Sequence, residues 1–268
     1  MIRFAHLSDT HVCKKYEGSL EPLFSRCKSP AENTAACFRR LAEEQVDFVL
    51  ITGDLIHEGT AEDYAYLREI AEENLAGIPV VYVLGNHDRK QAFAEGMGIS
   101  LDQGTLHYVK EFSELRVIVL DSGVDGKESG AISKEQEQWL AQVLAEQTEK
   151  TTVLAFHHPI AWENDSLAMT VSESFRELVK NSQVAGIFCG HTHSNSLDYW
   201  EGIPQYTADS MAFGLGMRKN GLSFNNRTGF ALYRVENGQI EVHQELMTPE
   251  PEAYLTFTWE QMKQMMAD

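Results

Sequence analysis

Short apolar segments alternate with segments of helical periodicity along most of the chain. Runs rich in valine, isoleucine, leucine and phenylalanine predict buried strands at residues 2–7, 48–52, 80–84, 117–120, 152–156 and 185–189. Helical patterns between them predict helices at residues 32–45, 61–76, 133–147 and 172–181. Strands that alternate with helices indicate a layered α/β fold.

Two local signals refine this picture in the second half of the chain. Ser133 and Gln136 have the spacing of a capping box at the start of a helix. Asn237-Gly238 lies between two strand-like segments and predicts a hairpin over residues 230–243. Such a hairpin adds antiparallel strands, so we expect mixed sheets.

The chain has the features of a single globular domain. No linker or internal repeat divides it, so we expect one domain over residues 1–268, with a terminal hairpin and helix at 230–268. The apolar face of that helix (Trp259, Met262 and Met266) would either cover the core or contact a second copy in a homodimer. No apolar run reaches the ~18 residues of a membrane span, and the first strand leaves no room for a signal peptide. We therefore expect a cytoplasmic protein without a membrane partner.

The net charge of −18 argues against a nucleic-acid partner. Proteins that neutralise many phosphates display a basic face, and this sequence has no dense stripe of lysine and arginine. A small anionic substrate stays compatible with the charge, because bound metal ions make a site locally positive.

Five of the six predicted strands run directly into a polar cluster. The clusters are Ser8-Asp9-Thr10-His11, Gly53-Asp54, Gly85-Asn86-His87-Asp88, His157-His158 and Gly190-His191-Thr192-His193. Ligands of open α/β sheets bind beyond the carboxyl ends of the strands. Parallel strands would therefore bring these clusters together at one edge of the sheet.

The chemistry of these clusters suits a pair of metal ions. Two metals about 3.5–4 Å apart can ionise a bridging water, bind phosphoryl oxygens and stabilise a leaving oxygen. Imidazole and carboxylate donors without thiolates favour manganese, iron, zinc or cobalt over a structural zinc cage. Gly53-Asp54 alone would be an ordinary turn, but the ordered combination at five strand ends indicates a site.

The motif order resembles the calcineurin-like metallophosphoesterase superfamily over residues 2–195. Further similarity to its class III cyclic-nucleotide phosphodiesterases and their glycerophosphodiesterase relatives is carried by Leu120-Asp121-Ser122, Gly130, Gln138-Trp139-Leu140 and His157-His158-Pro159. The resemblance implies an α/β fold that is a four-layer αββα sandwich. In it, two mixed β-sheets are flanked by helices, with a dinuclear metal site at the C-terminal ends of the strands.

The resemblance also implies roles for individual residues. It places Asp9, His11, Asp54 and His193 on one metal, and Asp54, Asn86, His157 and His191 on the other. Asp54 bridges the metals and counts as catalytic, together with His87, which would stabilise or protonate the leaving oxygen. Alignment on Pro159 favours His157 over His158 as the ligand. The cofactors would be two divalent or trivalent ions, with manganese or iron favoured over zinc or cobalt.

One position departs from the family pattern. Many members carry an aspartate three residues after the bridging aspartate, where it orients the catalytic histidine. Here that position is His57. Asp88 and Glu58 are both alternatives for holding His87, and the sequence leaves the choice open.

Substrate selectivity is expected in the connections beyond the strand ends. The longest, residues 194–229, carries Arg218, Lys219 and Arg227, and residues 12–31 carry Lys14, Lys15, Arg26 and Lys28. One of these cations would meet a phosphate oxygen, or both segments would be solvated loops with scattered charges, which is the interpretation we favour.

These features together predict hydrolysis of a small-molecule phosphodiester, with a 3′,5′-cyclic nucleotide or a glycerophosphodiester as candidate substrates. A phosphomonoesterase of the same superfamily is the main alternative. A nuclease would call for a positive groove. A non-catalytic protein-binding scaffold would be expected to have lost ligands, whereas all seven ligand positions are retained.

Overall fold

The computed structural model describes residues 1–16, 21–26, 28–101, 104–164, 166–218, 221–248, 250 and 252–265. The elements in chain order are β1 (Ile2–Leu7), α1 (Glu21–Phe24), α2 (Pro30–Glu44), β2 (Phe48–Thr52), α3 (Ala61–Asn74), β3 (Val80–Val83), α4 (Lys90–Met97), β4 (Tyr108–Glu111), β5 (Leu115–Val119), α5 (Lys134–Ala145), β6 (Thr151–Ala155), α6 (Glu173–Lys180), β7 (Val184–Cys189), β8 (Ser196–Trp200), β9 (Ile203–Thr207), β10 (Gly214–Arg218), β11 (Gly221–Asn225), β12 (Gly229–Glu236), β13 (Gln239–Leu246), β14 (Ala253–Thr258) and α7 (Trp259–Met265).

The strands pair into two mixed sheets and one small antiparallel sheet. The first sheet has the order β13-β12-β1-β2-β3, in which β1, β2 and β3 are parallel and β12 runs antiparallel to both of its neighbours. The second has the order β4-β5-β6-β7-β9-β8, with parallel strands from β5 to β9 and an antiparallel strand at each edge. Strands β10, β11 and β14 form the third sheet.

Three apolar layers organise the two large sheets and the helices. Between the sheets, Phe4 stacks on Phe48 at 4.7 Å between ring centroids and meets Phe188 edge-on at 5.4 Å. Helices α2 and α3 cover the outer face of the first sheet, and α5 and α6 cover that of the second. This arrangement confirms the predicted four-layer αββα sandwich.

All six predicted strands and all four predicted helices are present near their predicted boundaries. The capping box at α5 is only half formed. The Ser133 hydroxyl accepts a hydrogen bond from the Gln136 backbone amide. The Gln136 side chain, however, turns inward and makes two 2.8 Å hydrogen bonds with the backbone of Asp121. Gln136 therefore anchors the chain after β5 instead of closing the helix.

The favoured prediction of a solvated loop over residues 194–229 is wrong, because this segment contains strands β8 to β11. Its glycines and asparagines suggested a loop, whereas pairing with β7 and β14 gives these residues their structure. Arg227 does not extend towards a ligand, since its Nε lies 3.0 Å from the buried Asp209 Oδ1. Lys219 lies outside the described residues.

The C-terminal helix α7 covers an apolar cluster beside the small sheet. Met262 packs against this cluster, which includes Phe213 and Phe224, while Trp259 stays 38% exposed. Met266 lies outside the described residues. Of the helices within the described ranges, none combines the length and the apolar character that a bilayer crossing requires.

Replacing Phe4 by alanine should destabilise the protein by about 3–5 kcal/mol, because it opens a cavity between the sheets that the neighbouring rings cannot fill. Urea unfolding measures the change in the free energy of unfolding. Val242→Ala, at a 40% exposed position of β13, is the control and should change stability by less than about 0.5 kcal/mol. Equal effects of the two substitutions would contradict the proposed layering.

Candidate metal centre

The polar clusters lie where the carboxyl ends of the two large sheets meet. The first sheet contributes Asp9 and His11 after β1, Asp54 after β2 and Asn86 and His87 after β3, and the second contributes His157 after β6 and His191 and His193 after β7. The expected shared edge is therefore a seam between two sheets. Each half of the sandwich supplies part of the donor set, so the site depends on how the sheets pack.

Several of these side chains stand on strained backbone. Left-handed φ values occur at Asp9 (50°), His11 (42°), Asp54 (48°), His191 (68°) and His193 (51°). Such conformations cost free energy for residues other than glycine, and they concentrate at functional sites. Hydrogen bonds between neighbouring strand ends hold them, including Asp9 N to Gly53 O at 3.0 Å and His11 N to Asp54 O at 2.9 Å.

Two glycines allow the strand ends to approach this closely. A Cβ atom at Gly190 would lie 1.9 Å from Ser8 Oγ, and one at Gly85 would lie 2.2 Å from Asp54 Oδ1. Both distances are far shorter than any van der Waals contact. Gly190 and Gly85 are therefore required by the crossing of the chain segments that carry the site.

Asp9, His11 and His193 form the first group of donors, with ligand atoms within 4.8 Å of one another. His193 Nε2 lies 3.2 Å from Asp9 Oδ1 and 3.4 Å from His11 Nε2. Ligands bound at ~2.1 Å to one ion are separated by about 3–3.5 Å, so these spacings fit a shared ion. Asp9 Oδ1 is also buried and makes no hydrogen bond within the described structure, so a cation would satisfy it.

The second group is centred on His157. Its Nε2 lies 3.3 Å from Asp54 Oδ2, 3.1 Å from Asn86 Oδ1 and 3.2 Å from His191 Nδ1. Asp54 Oδ2 also lies 3.8 Å from His11 Nε2 in the first group. Asp54 therefore faces both groups, and the arrangement can hold two divalent ions.

His158 also lies close to His157 and His191, which raises the question of which neighbour faces the centre. His158 Nδ1 is 2.8 Å from Ser122 Oγ, in a contact directed away from the carboxylates. His157 contacts Asp54 and Asn86 directly. The geometry supports His157 as the donor of this pair.

Hydrogen bonds to the second ring nitrogen orient the donor histidines. Nδ1 of His157 lies 2.7 Å from Thr52 O, and Nδ1 of His193 lies 2.7 Å from Phe213 O. A backbone carbonyl only accepts, so both Nδ1 atoms donate a hydrogen bond and both Nε2 atoms face the centre, where a metal ion would replace any proton on Nε2. These carbonyls could not be identified from the sequence.

The site is an anionic centre that draws positive charge. Burial opposes ionisation of Asp54, but His157 and His87 hold the pKa of its carboxyl well below the usual range. Burial likewise opposes a charge on His157, yet Asp54 raises the pKa of that imidazole to about 9. Burial lowers the pKa of His191 to about 3, so this ring stays neutral and able to bind a metal.

Two carboxylates that are not predicted ligands, Glu128 and Glu58, contact residues of the centre. Glu128, on the connection after β5, accepts a 2.9 Å hydrogen bond from Asn86 Nδ2. Because Nδ2 is held there, Asn86 Oδ1 faces His157. Glu58 Oε1 lies 3.4 Å from His87 Nδ1. No sequence pattern pointed to Glu128, which is exposed and distant from Asn86 along the chain.

A family model for calcineurin-like phosphoesterases matches residues 2–195. The chain belongs to this family. It is 33% identical to a cAMP/cGMP dual specificity phosphodiesterase of Mycobacterium tuberculosis, over 78% of this chain and 67% of that protein. It is also 33% identical to a probable glycerophosphodiester phosphodiesterase of Arcobacter nitrofigilis, over 65% of this chain and 67% of that protein.

The fold of this phosphoesterase is also found in a solved structure. A dimetal phosphatase from Danio rerio superposes with a TM-score of 0.66 at 14% identity, over 96% of this chain and 99% of the other. At that identity the similarity concerns the fold alone, and it agrees with the αββα sandwich described above.

Chelation should lower the melting temperature of this phosphoesterase, because the buried carboxylates of Asp9 and Asp54 lose their compensating cations. A metal that binds only the folded state adds about 2.7 kcal/mol of stability at 100 times its Kd. Differential scanning fluorimetry with EDTA, followed by Mn²⁺ addition, measures the shift. Asp54→Asn should respond weakly, and the exposed Asp198→Asn should respond like the wild type. An unchanged melting temperature would contradict the predicted centre.

Glu128→Ala should weaken binding at the Asn86 side of the centre by about 10- to 100-fold, because the carboxamide loses the partner that orients it. Titration calorimetry of metal-stripped protein with Mn²⁺ would resolve the weaker of two sites. Asp125→Ala, at an exposed position of the same connection, is the control. Equal affinities in both variants would show that Glu128 does not orient Asn86.

Proposed function

We propose that this chain hydrolyses phosphodiesters of small molecules at two metal ions. The observation that carries this proposal is the position of Asp54, whose Oδ2 faces a histidine of each donor group. One ion would be held by Asp9, His11, Asp54 and His193, and the other by Asp54, Asn86, His157 and His191. Bound there, the ions would supply an ionised water and bind the phosphoryl oxygens.

Side chains of the protein position the reacting groups and supply the proton. Asp54 Oδ1 accepts a 2.9 Å hydrogen bond from the His87 amide, so the bridging carboxylate also positions the loop that carries His87. A water oxygen forms the new bond to phosphorus, one ester P–O bond breaks, and the departing oxygen takes a proton from His87. Glu58 occupies the Nδ1 side of this ring, which leaves Nε2 to donate that proton.

The charge around His87 favours a diester over a monoester. Glu58 and Glu128, both on the exposed rim, act on the His87 imidazole. A phosphodiester carries one negative charge and a phosphomonoester carries up to two, so this rim repels the monoester more strongly. One of the two bacterial relatives described above is named a phosphodiesterase and the other a probable phosphodiesterase, which supports the same choice, with a cyclic nucleotide or a glycerophosphodiester as the candidate substrate.

We also propose which metals the enzyme uses, where it acts and how it assembles. The imidazole and carboxylate donors favour manganese or iron. We expect a cytoplasmic enzyme that acts on small molecules rather than nucleic acids, in keeping with its charge of −18. We expect a single domain over residues 1–268, and the pairing of β12 with β1 supports this expectation. The partly exposed Trp259 on α7 is the surface that we expect in a homodimer contact.

The test is hydrolysis of bis-p-nitrophenyl phosphate compared with the p-nitrophenyl monoester, after Mn²⁺ is added to metal-stripped protein. We expect metal-dependent turnover of the diester, with a higher kcat/KM than for the monoester. Asn86→Ala should reduce diester turnover by about 100-fold or more, because it removes a predicted metal ligand. Asn74→Ala is the control, because Asn74 is the last residue of α3 and is not a predicted metal ligand.

Other outcomes would revise the proposal in different ways. Faster turnover of the monoester would identify a phosphomonoesterase. Two bound metals without turnover of either ester would favour a non-catalytic scaffold. Failure to bind metal would reject the dinuclear centre itself.

A further inference from the structure

The carboxylates near His87 are mostly committed to other partners. Asp88 accepts hydrogen bonds from the amides of Leu55, Ile56 and Gly85, at 3.1, 3.3 and 2.8 Å, and from the Tyr64 hydroxyl at 2.8 Å. Its carboxylate therefore fastens the two loops that follow β2 and β3. A carboxylate with four donors has no remaining contact to offer the His87 ring, although it is the adjacent residue.

Asp54 and Glu128 are committed in the same way. Asp54 uses Oδ1 for the backbone amide of His87 and Oδ2 for the histidines of the centre. Glu128 holds the Asn86 carboxamide. Within the described residues, Glu58 is the carboxylate that contacts the His87 imidazole, with Oε1 3.4 Å from Nδ1.

The backbone around Glu58 is arranged for this contact. Its amide donates a 3.1 Å hydrogen bond to the His87 carbonyl, so residues 58 and 87 are linked through both main chain and side chain. Glu58 also has a left-handed φ of 51°. Strained backbone of this kind persists where surrounding contacts hold it in place.

The neighbouring His57 makes a different contact. Its Nδ1 lies 3.3 Å from His11 Nδ1, and its ring lies 4.5 Å from that of His87 at an interplanar angle of 36°. With Nε2 of His11 as the predicted metal donor, Nδ1 of His11 would carry the proton and donate a hydrogen bond to His57 Nδ1. His57 therefore orients a predicted metal ligand and packs against His87 without hydrogen-bonding to it.

We propose that Glu58 is the positioning residue for His87, accepting a hydrogen bond from Nδ1 and directing Nε2 towards the departing oxygen. This inference rests on the proposed role of His87 as the acid. Two adjacent residues then divide the support of the site, since His57 holds His11 while Glu58 holds His87. Within the described residues, the ion pair of the Glu58 side chain is with His87 and not with a predicted metal ligand.

The exposure of Glu58 makes the inference testable without unfolding the protein. Its side chain is 60% exposed, and exposed ion pairs contribute little to stability. Glu58→Ala should therefore keep the wild-type melting temperature and bind two Mn²⁺ ions. Glu58→Gln keeps a neutral hydrogen-bond acceptor, so its kcat for diphenyl phosphate should lie between those of Glu58→Ala and the wild type. Glu62→Ala, at an exposed position in the first turn of α3, is the matched control.

The decisive readout is the dependence on the leaving group. A proton donor matters more for the basic phenolate released from diphenyl phosphate than for p-nitrophenolate. Glu58→Ala should reduce kcat for diphenyl phosphate by about 10- to 100-fold, with a clearly smaller loss for bis-p-nitrophenyl phosphate. His87→Ala should show the same pattern with a larger loss. In the His87→Ala background, removal of Glu58 should change kcat by less than about twofold.

Three results would overturn the inference, and they separate it from the proposed function. Equal losses for the two diesters in Glu58→Ala would mean that Glu58 does not act through His87. Additive losses in the double variant would mean the same. If His87→Ala itself leaves diphenyl phosphate turnover intact, the role of His87 fails, and with it the role of Glu58, while Asn86→Ala still tests the metal centre separately.

Discussion

The structure depends on the burial of two carboxylates, Asp9 and Asp54, at the seam between the sheets. Both side chains are almost inaccessible to water, and the imidazoles of three histidines (His11, His157 and His193) lie against them. Buried negative charge is costly unless cations compensate it. Protons on histidines can do so in part, but the donor spacing fits metal ions better. The same electrostatic demand thus stabilises the closed seam and creates the reactive centre.

Many specific contacts hold the framework around these carboxylates. The donors stand on left-handed backbone, with Gly190 and Gly85 at the points of closest approach. Asp88 joins the loops after β2 and β3, and Thr52 and Phe213 fix the imidazoles through their carbonyls. This framework holds the donor atoms about 3 Å apart, a spacing that ligands of one ion also have. The strain is balanced by the packed aromatic core beneath it.

The sequence predicted what local patterns encode. Buried strands such as β2 and β7 are apolar runs, and the polar clusters that follow the strands contain the predicted metal ligands, which the structure brings close together. Strands β8 to β11 could not be predicted, because pairing with distant segments outweighs their weak local pattern. The meeting of two sheets at one seam was likewise implied only by family resemblance. Glu128 was missed because an exposed glutamate has no distinctive spacing.

The choice between Asp88 and Glu58 shows where sequence reasoning ends. Both are acidic, and Asp88 is adjacent to His87, which made it the natural partner by proximity. In the structure, three backbone amides of the two loops donate hydrogen bonds to Asp88 instead. The loop after β2 has left-handed backbone at Asp54 and Glu58, and it brings the Glu58 carboxylate to the His87 ring. The direction of the backbone, which residue spacing does not encode, thus makes Asp88 a structural residue that joins two loops. It leaves Glu58 in contact with His87. With Glu58 in its proposed role, this member of the family keeps the predicted metal donors while another residue supports His87.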